Sequence, residues 1–219
     1  VVDAMTTNES FFFRDGRPFE QFAEHMLPAL IRARQATKRL SIWSAAAATG
    51  QEPYSLALCL QDRAKELQGW QVEILATDIS TNALTRAREG RYTQFEIQRG
   101  LPVKRLVQGF TQSGDGWVVK PELKRWIRFQ PFNLLDLKPN FGRFDVIFCR
   151  NVLIYFDVPT KKRVVETMAQ MLPSDGYFVL GGTETILGVT NRFAAVDAQR
   201  GVFRPAAVTA PAGAEAAVG

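Results

Sequence analysis

The chain has a single histidine, His25, and two cysteines, Cys59 and Cys149, among 219 residues. That scarcity leaves no His/Cys constellation for nucleophilic catalysis and no cluster of soft ligands, so no metal site is expected. Both cysteines stand in apolar contexts, ALCLQ and VIFCRN, which reads as reduced core thiols of a cytoplasmic protein rather than a disulfide. No apolar run is long enough to span a bilayer, and the N-terminus lacks the charged and apolar regions of a signal peptide, so no membrane insertion is expected. The abrupt start at Val1 reads as a fragment. A long basic run is also missing. The 27 basic and 22 acidic residues leave a net charge of +5, a mild excess that does not indicate nucleic acid and equally suits an acidic protein partner. There is no internal repeat. Finally, the turn after the first strand lacks the three glycines of a dinucleotide pyrophosphate loop.

What is present is a chain with 46% hydrophobic residues, enough for one domain with a substantial core. Its centre is residues 40–54, LSIWSAAAATGQEPY. This reads as a buried strand (40–44), a turn of very small residues (45–50) and a helix opening at Gln51-Glu52-Pro53, where proline suits the first turn. Four alanines and one glycine leave little bulk over the strand end. A ligand could lie against that backbone, as at the carboxyl ends of parallel strands in open α/β sheets. The same pattern also serves merely to pack a helix on a sheet.

Upstream, Thr6–Ser10 is polar and Phe11-Phe12-Phe13-Arg14 is aromatic and basic. The three phenylalanines are expected to pack on the body as an arm that caps the core, holding Arg14 near it. Residues 18–34 carry Phe19, Phe22, Met26, Leu27, Leu30 and Ile31 at the spacing of one helical face, with His25 at its boundary. Downstream, 52–67 predicts a helix and 72–77 a second strand ending at Asp78. A right-handed crossover brings Asp78 beside the alanine turn, where a carboxylate can accept two ribose hydroxyls. The other reading of Asp78 is a helix cap, but Ser80 can fill that role for a helix over 80–89.

Residues 93–136 break the strand–helix rhythm. A short helix at 101–107 and strands at 110–111, 116–120 and 126–132, with Asp115-Gly116 as a hairpin signal, predict a small antiparallel flap. The apolar run 144–149 predicts a central strand buried on both faces. It is followed by Arg150-Asn151, a helix (159–172), a strand (176–182) and an antiparallel pair (193–196 with 201–204). The Ala/Pro/Gly-rich stretch from Pro205 is expected to be disordered. The strand ends therefore line up the alanine turn, Asp78, Asn133 and Arg150-Asn151 on one edge. With no phosphate loop, a ribose-type acid and a terminal antiparallel pair, this suits an S-adenosylmethionine methyltransferase.

The segments TTNESFFFR, IWSAAAATGQEPYSLA, ATDIS, FNLLD and FCRNVLIYFD, in that order and spread over nearly the whole chain, resemble the CheR family of chemotaxis receptor methyltransferases. The resemblance implies a Rossmann-like methyltransferase fold: a mostly parallel seven-stranded sheet with a terminal antiparallel strand pair and a small inserted antiparallel β-subdomain. Residues 1–17 would form the arm closing the cofactor site, 18–204 the catalytic domain with the insertion at about 94–130, and 205–219 the tail. It implies methyl transfer from S-adenosylmethionine to glutamates on the cytoplasmic helical domain of a chemoreceptor, with S-adenosylhomocysteine as product. Asn8, Ser10 and Arg14 would close over the cofactor. Ala46 and Glu52 would lie near its methionine moiety, Asp78 on the ribose, Asn133 and Leu134 by the adenine, and Arg150 and Asn151 at the fourth strand end. Arg14 and Tyr155 match positions proposed to act at the methyl centre.

There are departures. Gln51 stands where the family often has Glu, and Ala47-Ala48 where it has Cys or Ser. The family's N-terminal helical domain is represented only by its last segment, so docking through it is not expected of this chain. The short 113–116 loop predicts an enzyme that does not depend on a receptor's C-terminal tethering peptide, and a monomer is expected. A substrate glutamate, with a pKa near about 4.3, is already ionised at neutral pH, so no general base is needed. Two alternatives remain at this point: a methyltransferase of another substrate, and a non-catalytic nucleoside-binding module.

Overall fold

The computed structural model describes residues 10–196 and 199–206. Numbered in chain order with the flap strands, the main sheet contains β1 (Arg39–Ala45), β2 (Gln71–Asp78), β6 (Ile127–Pro131), β7 (Val146–Cys149), β8 (Tyr177–Val179), β9 (Phe193–Ala195) and β10 (Val202–Pro205). Their order is β6-β2-β1-β7-β8-β10-β9. The first five in that order run parallel, and β10 is antiparallel to both β8 and β9. This is the mostly parallel seven-stranded sheet with a terminal antiparallel pair that the family resemblance implies. The strand order reverses at β1, so a crevice opens at the carboxyl ends of β1 and β7, where Ala45 pairs with Cys149.

Each face of the sheet builds its own core. Ile42, Val146 and Phe148 face α1 (Arg17–Gln21), α2 (Leu27–Ala33) and α3 (Gln51–Gln61), while Trp43, Ile147 and Cys149 face α8 (Val158–Ala169). The predicted apolar stripe at 18–34 is buried throughout and His25 is exposed. Between α1 and α2 the helix widens into a π turn, Phe22–Met26, where the Leu27 N–H bonds the Phe22 carbonyl. Pro28 follows directly. It lacks an N–H and would crowd the preceding turn, which the wider turn relieves. Helix α3 ends at Gln61 instead of residue 67. Leu67 is still buried, held by a series of turns rather than by helix.

Helix α4 (Thr81–Glu89) starts at Ser80, whose Oγ accepts the Ala83 N–H at 3.1 Å. The capping role is therefore filled by Ser80, as expected. The flap follows: β3 (Arg91–Thr93), α5 (Gln94–Gln98), α6 (Val103–Gly109), β4 (Phe110–Ser113), β5 (Gly116–Val119) and α7 (Pro121–Lys124). Its sheet order is β3-β5-β4, all antiparallel. The expected assignment of 126–132 to the flap is corrected: Ile127–Pro131 pairs in parallel with β2 and forms the edge of the main sheet. The third flap strand is Arg91–Thr93. Both runs have strand composition, and partner choice depends on where the crossover after α7 lands. Pro205 also moves from the expected tail into β10, opposite Phe193. The tail from residue 207 lies outside the described residues.

Candidate active site

At the crevice the chain leaves β1 through a turn that uses alanine where glycine would be expected. Ala46 (φ 63°) and Ala48 (φ 48°) both occupy the left-handed region, and Gly50 (φ 96°) ends the turn ahead of α3. Non-glycine residues there cost of order 1–3 kcal/mol each unless their surroundings hold them. The surroundings do. The Ala47 N–H donates to the Thr77 carbonyl at 2.8 Å, the Ala48 N–H to Asp78 Oδ2 at 2.8 Å, and the Tyr92 hydroxyl to the Thr49 carbonyl at 2.7 Å. The third bond comes from the flap, so β3 braces the turn. A Cβ on Gly50 would stand 2.9 Å from both Ala87 Cβ and the Tyr92 hydroxyl.

Asp78 ends β2 and is buried. Its other oxygen, Oδ1, accepts the Ser80 N–H at 2.9 Å. Each carboxylate oxygen thus takes one backbone donor and keeps acceptor capacity. Glu52, in the first turn of α3, accepts from Ser44 Oγ at 2.8 Å and from Arg150 Nη1 at 3.0 Å. Burial pushes its pKa up, and the Arg150 charge and these hydrogen bonds pull it back.

Arg150 follows β7, with its side chain only 2% exposed. Besides Glu52, it reaches the N-terminal arm: Nη2 donates to the Arg14 carbonyl and to Asp15 Oδ2, both at 2.7 Å. Its guanidinium carbon lies 5.3 Å from the centre of the Phe19 ring. Both terminal nitrogens are engaged by protein, and Nε is buried without a partner among the described residues.

The arm is more than a cap. Phe12 is fully buried, edge-on to Tyr92 and Phe110 of the flap at 4.9 and 5.4 Å. The Phe13 N–H donates to Ser55 Oγ of α3 at 3.0 Å, and Arg105 of α6 lies over the Phe13 ring at 5.6 Å. The Phe12 carbonyl rests against Gly100, where a Cβ would approach it to 2.1 Å. Phe13 (φ 51°) and Asp15 (φ 68°) flank Arg14 in the left-handed region. Burying Phe12, worth roughly 1.5–3 kcal/mol, and the charge-assisted bonds to Arg150, worth about 1.5–3 kcal/mol each, offset that strain. The result is a kinked arm that holds Arg14 by the crevice, with its guanidinium carbon 5.5 Å from the Phe11 ring centre.

On the far side of the crevice, Asn133 Oδ1 accepts the Leu135 N–H at 3.0 Å and so caps a short 3-10 turn, Leu134–Asp136, with Leu134 buried. Asn151 has φ 57°, and Tyr155, 63% exposed, ends the 3-10 turn Leu153–Tyr155. Strand ends or the segments directly after them thus place Ala46, Glu52, Asp78, Asn133, Leu134, Arg150, Asn151 and Tyr155 at one sheet edge. The arm reaches that edge at Arg14 through Arg150. Ser10 opens the described arm, and Asn8 lies outside the described residues. A groove of about 940 Å³ lies at the opposite edge of the sheet, between Leu40, Trp70 and Trp126, and none of these predicted residues lines it. Among the described residues no group of His, Cys, Asp and Glu could hold a metal ion.

Sequence reasoning missed Ser44, Asp15, Ser55, Tyr92 and Glu184. Glu184 accepts from the backbone N–H groups of Asn151, Val152, Leu153 and Gly181 at 2.6–3.1 Å. Its position just past the carboxyl end of β8 was the available signal, obscured by the absence of any motif there.

Residues 8–202 match the family described as CheR methyltransferase, SAM binding domain. The chain belongs to the CheR family. It is similar to chemotaxis protein methyltransferase 1 of Pseudomonas aeruginosa, 41% identical over 207 residues that cover 93% of this chain and 75% of that protein. The chemotaxis protein methyltransferase of Vibrio parahaemolyticus is 42% identical over 206 residues, covering 93% and 74%. That of Escherichia coli is 36% identical over 197 residues, covering 88% and 66%. As a CheR protein, this chain is an S-adenosylmethionine-dependent methyltransferase. The residues at the crevice fit that cofactor. The turn at Ala46–Ala48 has no side chain beyond Cβ, and Asp78 keeps acceptor capacity for a ribose diol. No helix among the described residues is long and apolar enough to cross a membrane.

Proposed function

We propose that this CheR protein methylates glutamate side chains of a chemoreceptor's cytoplasmic helices, forming methyl esters, and that it works in the cytoplasm as a monomer. One observation carries the reading: Arg150 pins the arm bearing Arg14 to the same crevice that holds Glu52 and Asp78. When bound, the cofactor supplies an electrophilic methyl group on a sulfonium; as a carboxylate oxygen forms the C–O bond, the C–S bond breaks and S-adenosylhomocysteine leaves. The acceptor is already an anion, so no residue need remove a proton. The chain's tasks are alignment and exclusion of water. In this reading Asp78 takes the ribose, and Glu52 and Ala46 face the methionine end. Asn133 and Leu134 flank the adenine, while Ser10 and Asn151 complete the enclosure. Arg14 grips the substrate carboxylate through its fork of donors, and Tyr155 stands at the rim to contact it. Arg150 serves by holding Glu52 and the arm in place.

Incubating the protein with tritiated S-adenosylmethionine and receptor-containing membranes should label the receptor, and mild base should release the label as methanol. Label that is stable to base, or none on the receptor, would overturn the reading. Asp78→Ala should weaken S-adenosylhomocysteine binding by about tenfold or more, since a charge-assisted pair to the diol contributes about 1.5–3 kcal/mol. Unchanged affinity by calorimetry would refute the ribose assignment.

The flap's hairpin between β4 and β5 turns through Gly114-Asp115 alone. That short loop supports an enzyme independent of a tethering peptide. Titration with receptor C-terminal peptides should give no micromolar binding, and a micromolar dissociation constant would show the opposite.

A further inference from the structure

Glu184 lies outside every role assigned so far, yet it makes more hydrogen bonds to the site's backbone than any residue at the crevice described above. One carboxylate oxygen accepts the Asn151 N–H at 2.6 Å and the Gly181 N–H at 2.9 Å; the other accepts the Val152 and Leu153 N–H groups at 3.1 and 3.0 Å. Three consecutive N–H groups of one turn thus converge on one anion, a concave backbone arrangement that favours negative charge. The turn needs such a hold. Asn151 is in the left-handed region at φ 57°, and the chain reaches Tyr155 through a single 3-10 turn. The clamp is also tightly fitted. A Cβ on Gly181 would lie 2.8 Å from both Glu184 Oε2 and Asn151 Nδ2.

We propose that Glu184 is a positioning residue for methyl transfer: its carboxylate gathers the backbone of Asn151, Val152 and Leu153, and so sets where Asn151 and Tyr155 stand at the crevice. This rests on the proposed role of Tyr155 toward the substrate. The carboxylate is required, because a carboxamide of the same shape would turn an NH2 group toward backbone donors and leave some of them unpaired. Gly181 is the second support. It is not among the residues of positive φ, so alanine there acts only through the crowding of Glu184 and Asn151.

The test compares wild type, Glu184→Gln, Gly181→Ala, Tyr155→Phe and Glu184→Gln/Tyr155→Phe. Glu184→Gln should lower kcat for receptor methylation about 10–100-fold, the range a displacement of about 1 Å at a reacting centre produces, while KM for the cofactor changes less than kcat. Gly181→Ala should shift kcat in the same direction. The losses from Glu184→Gln and Tyr155→Phe should be clearly less than additive in the double variant, because the two act through one turn. Amide hydrogen exchange at Asn151, Val152 and Leu153 should accelerate about tenfold or more in Glu184→Gln, as expected for losing a hydrogen bond to a charged group. Additive losses in the double variant, or an unchanged kcat accompanied only by a lower Tm, would overturn the proposal. If Glu184→Gln does not fold, Gly181→Ala decides by the same two readouts. If wild type fails to label the receptor, the receptor reading falls, and exchange at the three amides still judges the clamp: unchanged exchange overturns it.

Discussion

Arg14→Ala should reduce turnover by about 10²-fold or more, the cost of removing one preorganised donor from a reacting centre, with the fold intact. The arm around Arg14 is held by groups the substitution leaves in place: the Arg14 carbonyl to Arg150, Asp15 to Arg150, the Phe13 N–H to Ser55, and the buried Phe12 ring. Only the guanidinium is lost. Its removal should therefore leave Tm within a few degrees while kcat collapses, with any loss of S-adenosylhomocysteine affinity smaller than the loss in kcat. Arg14→Lys should recover only a small part, because an ammonium cannot reproduce two parallel bonds to a carboxylate. Near-normal methylation by Arg14→Ala, measured as base-labile label, would remove Arg14 from the mechanism.

Arg150→Met should destabilise the protein by about 3–5 kcal/mol at neutral pH, the cost of stripping one partner from a buried ion pair. Glu52 is held in a crevice with its side chain 12% exposed, whereas Asp15 is 41% exposed and can be solvated. The loss therefore falls on Glu52. Burial already raises the Glu52 pKa above its usual 4.5, and Arg150 opposes that rise. Without Arg150 the pKa in the folded state climbs further. A group whose folded pKa lies above its unfolded one stabilises the fold most below the unfolded pKa, and that contribution is lost as pH rises through the folded pKa. The defect of Arg150→Met should accordingly shrink as pH falls toward the carboxylate range and widen toward neutrality. Adding Glu52→Gln should remove most of this pH dependence. Urea titrations at several pH values measure it, and a defect below about 1 kcal/mol at neutral pH, or one independent of pH, would refute the pairing argument. Activity should fall as well, because the arm loses both of its bonds to the crevice.

Local patterns carried much of the architecture. The spacing of Phe19 to Ile31, the apolar run through Phe148 and the small-residue turn each announce their element through near neighbours, and the structure has helix, strand and turn at those places. Asp78 was legible as a crevice residue because a right-handed crossover of that length allows one placement. Ser80 was legible as a cap because its hydroxyl acts within one turn. Other features had no local mark. Nothing in Ala45–Gly50 says that Ala46 and Ala48 take left-handed conformations, since alanine is read as a helix former; bonds from Thr77, Asp78 and Tyr92 impose them. Strand β6 was assigned to the flap because composition shows that a segment is extended without naming its neighbour.

By itself the sequence determined the order along the chain of the seven main-sheet strands, the two-sided burial of the central strands, the family, and the presence of Glu52 and Asp78 beside a turn without bulk. These are carried by periodicity and short motifs, interactions over a few residues. Only the tertiary structure decided that Arg150 joins Glu52, 98 positions away, to an arm 135 positions away, and that Glu184 gathers the turn leading to Tyr155. Charges so far apart in sequence meet only where the sheet's strand ends converge, and their partners follow from strand order and loop path rather than from residue type.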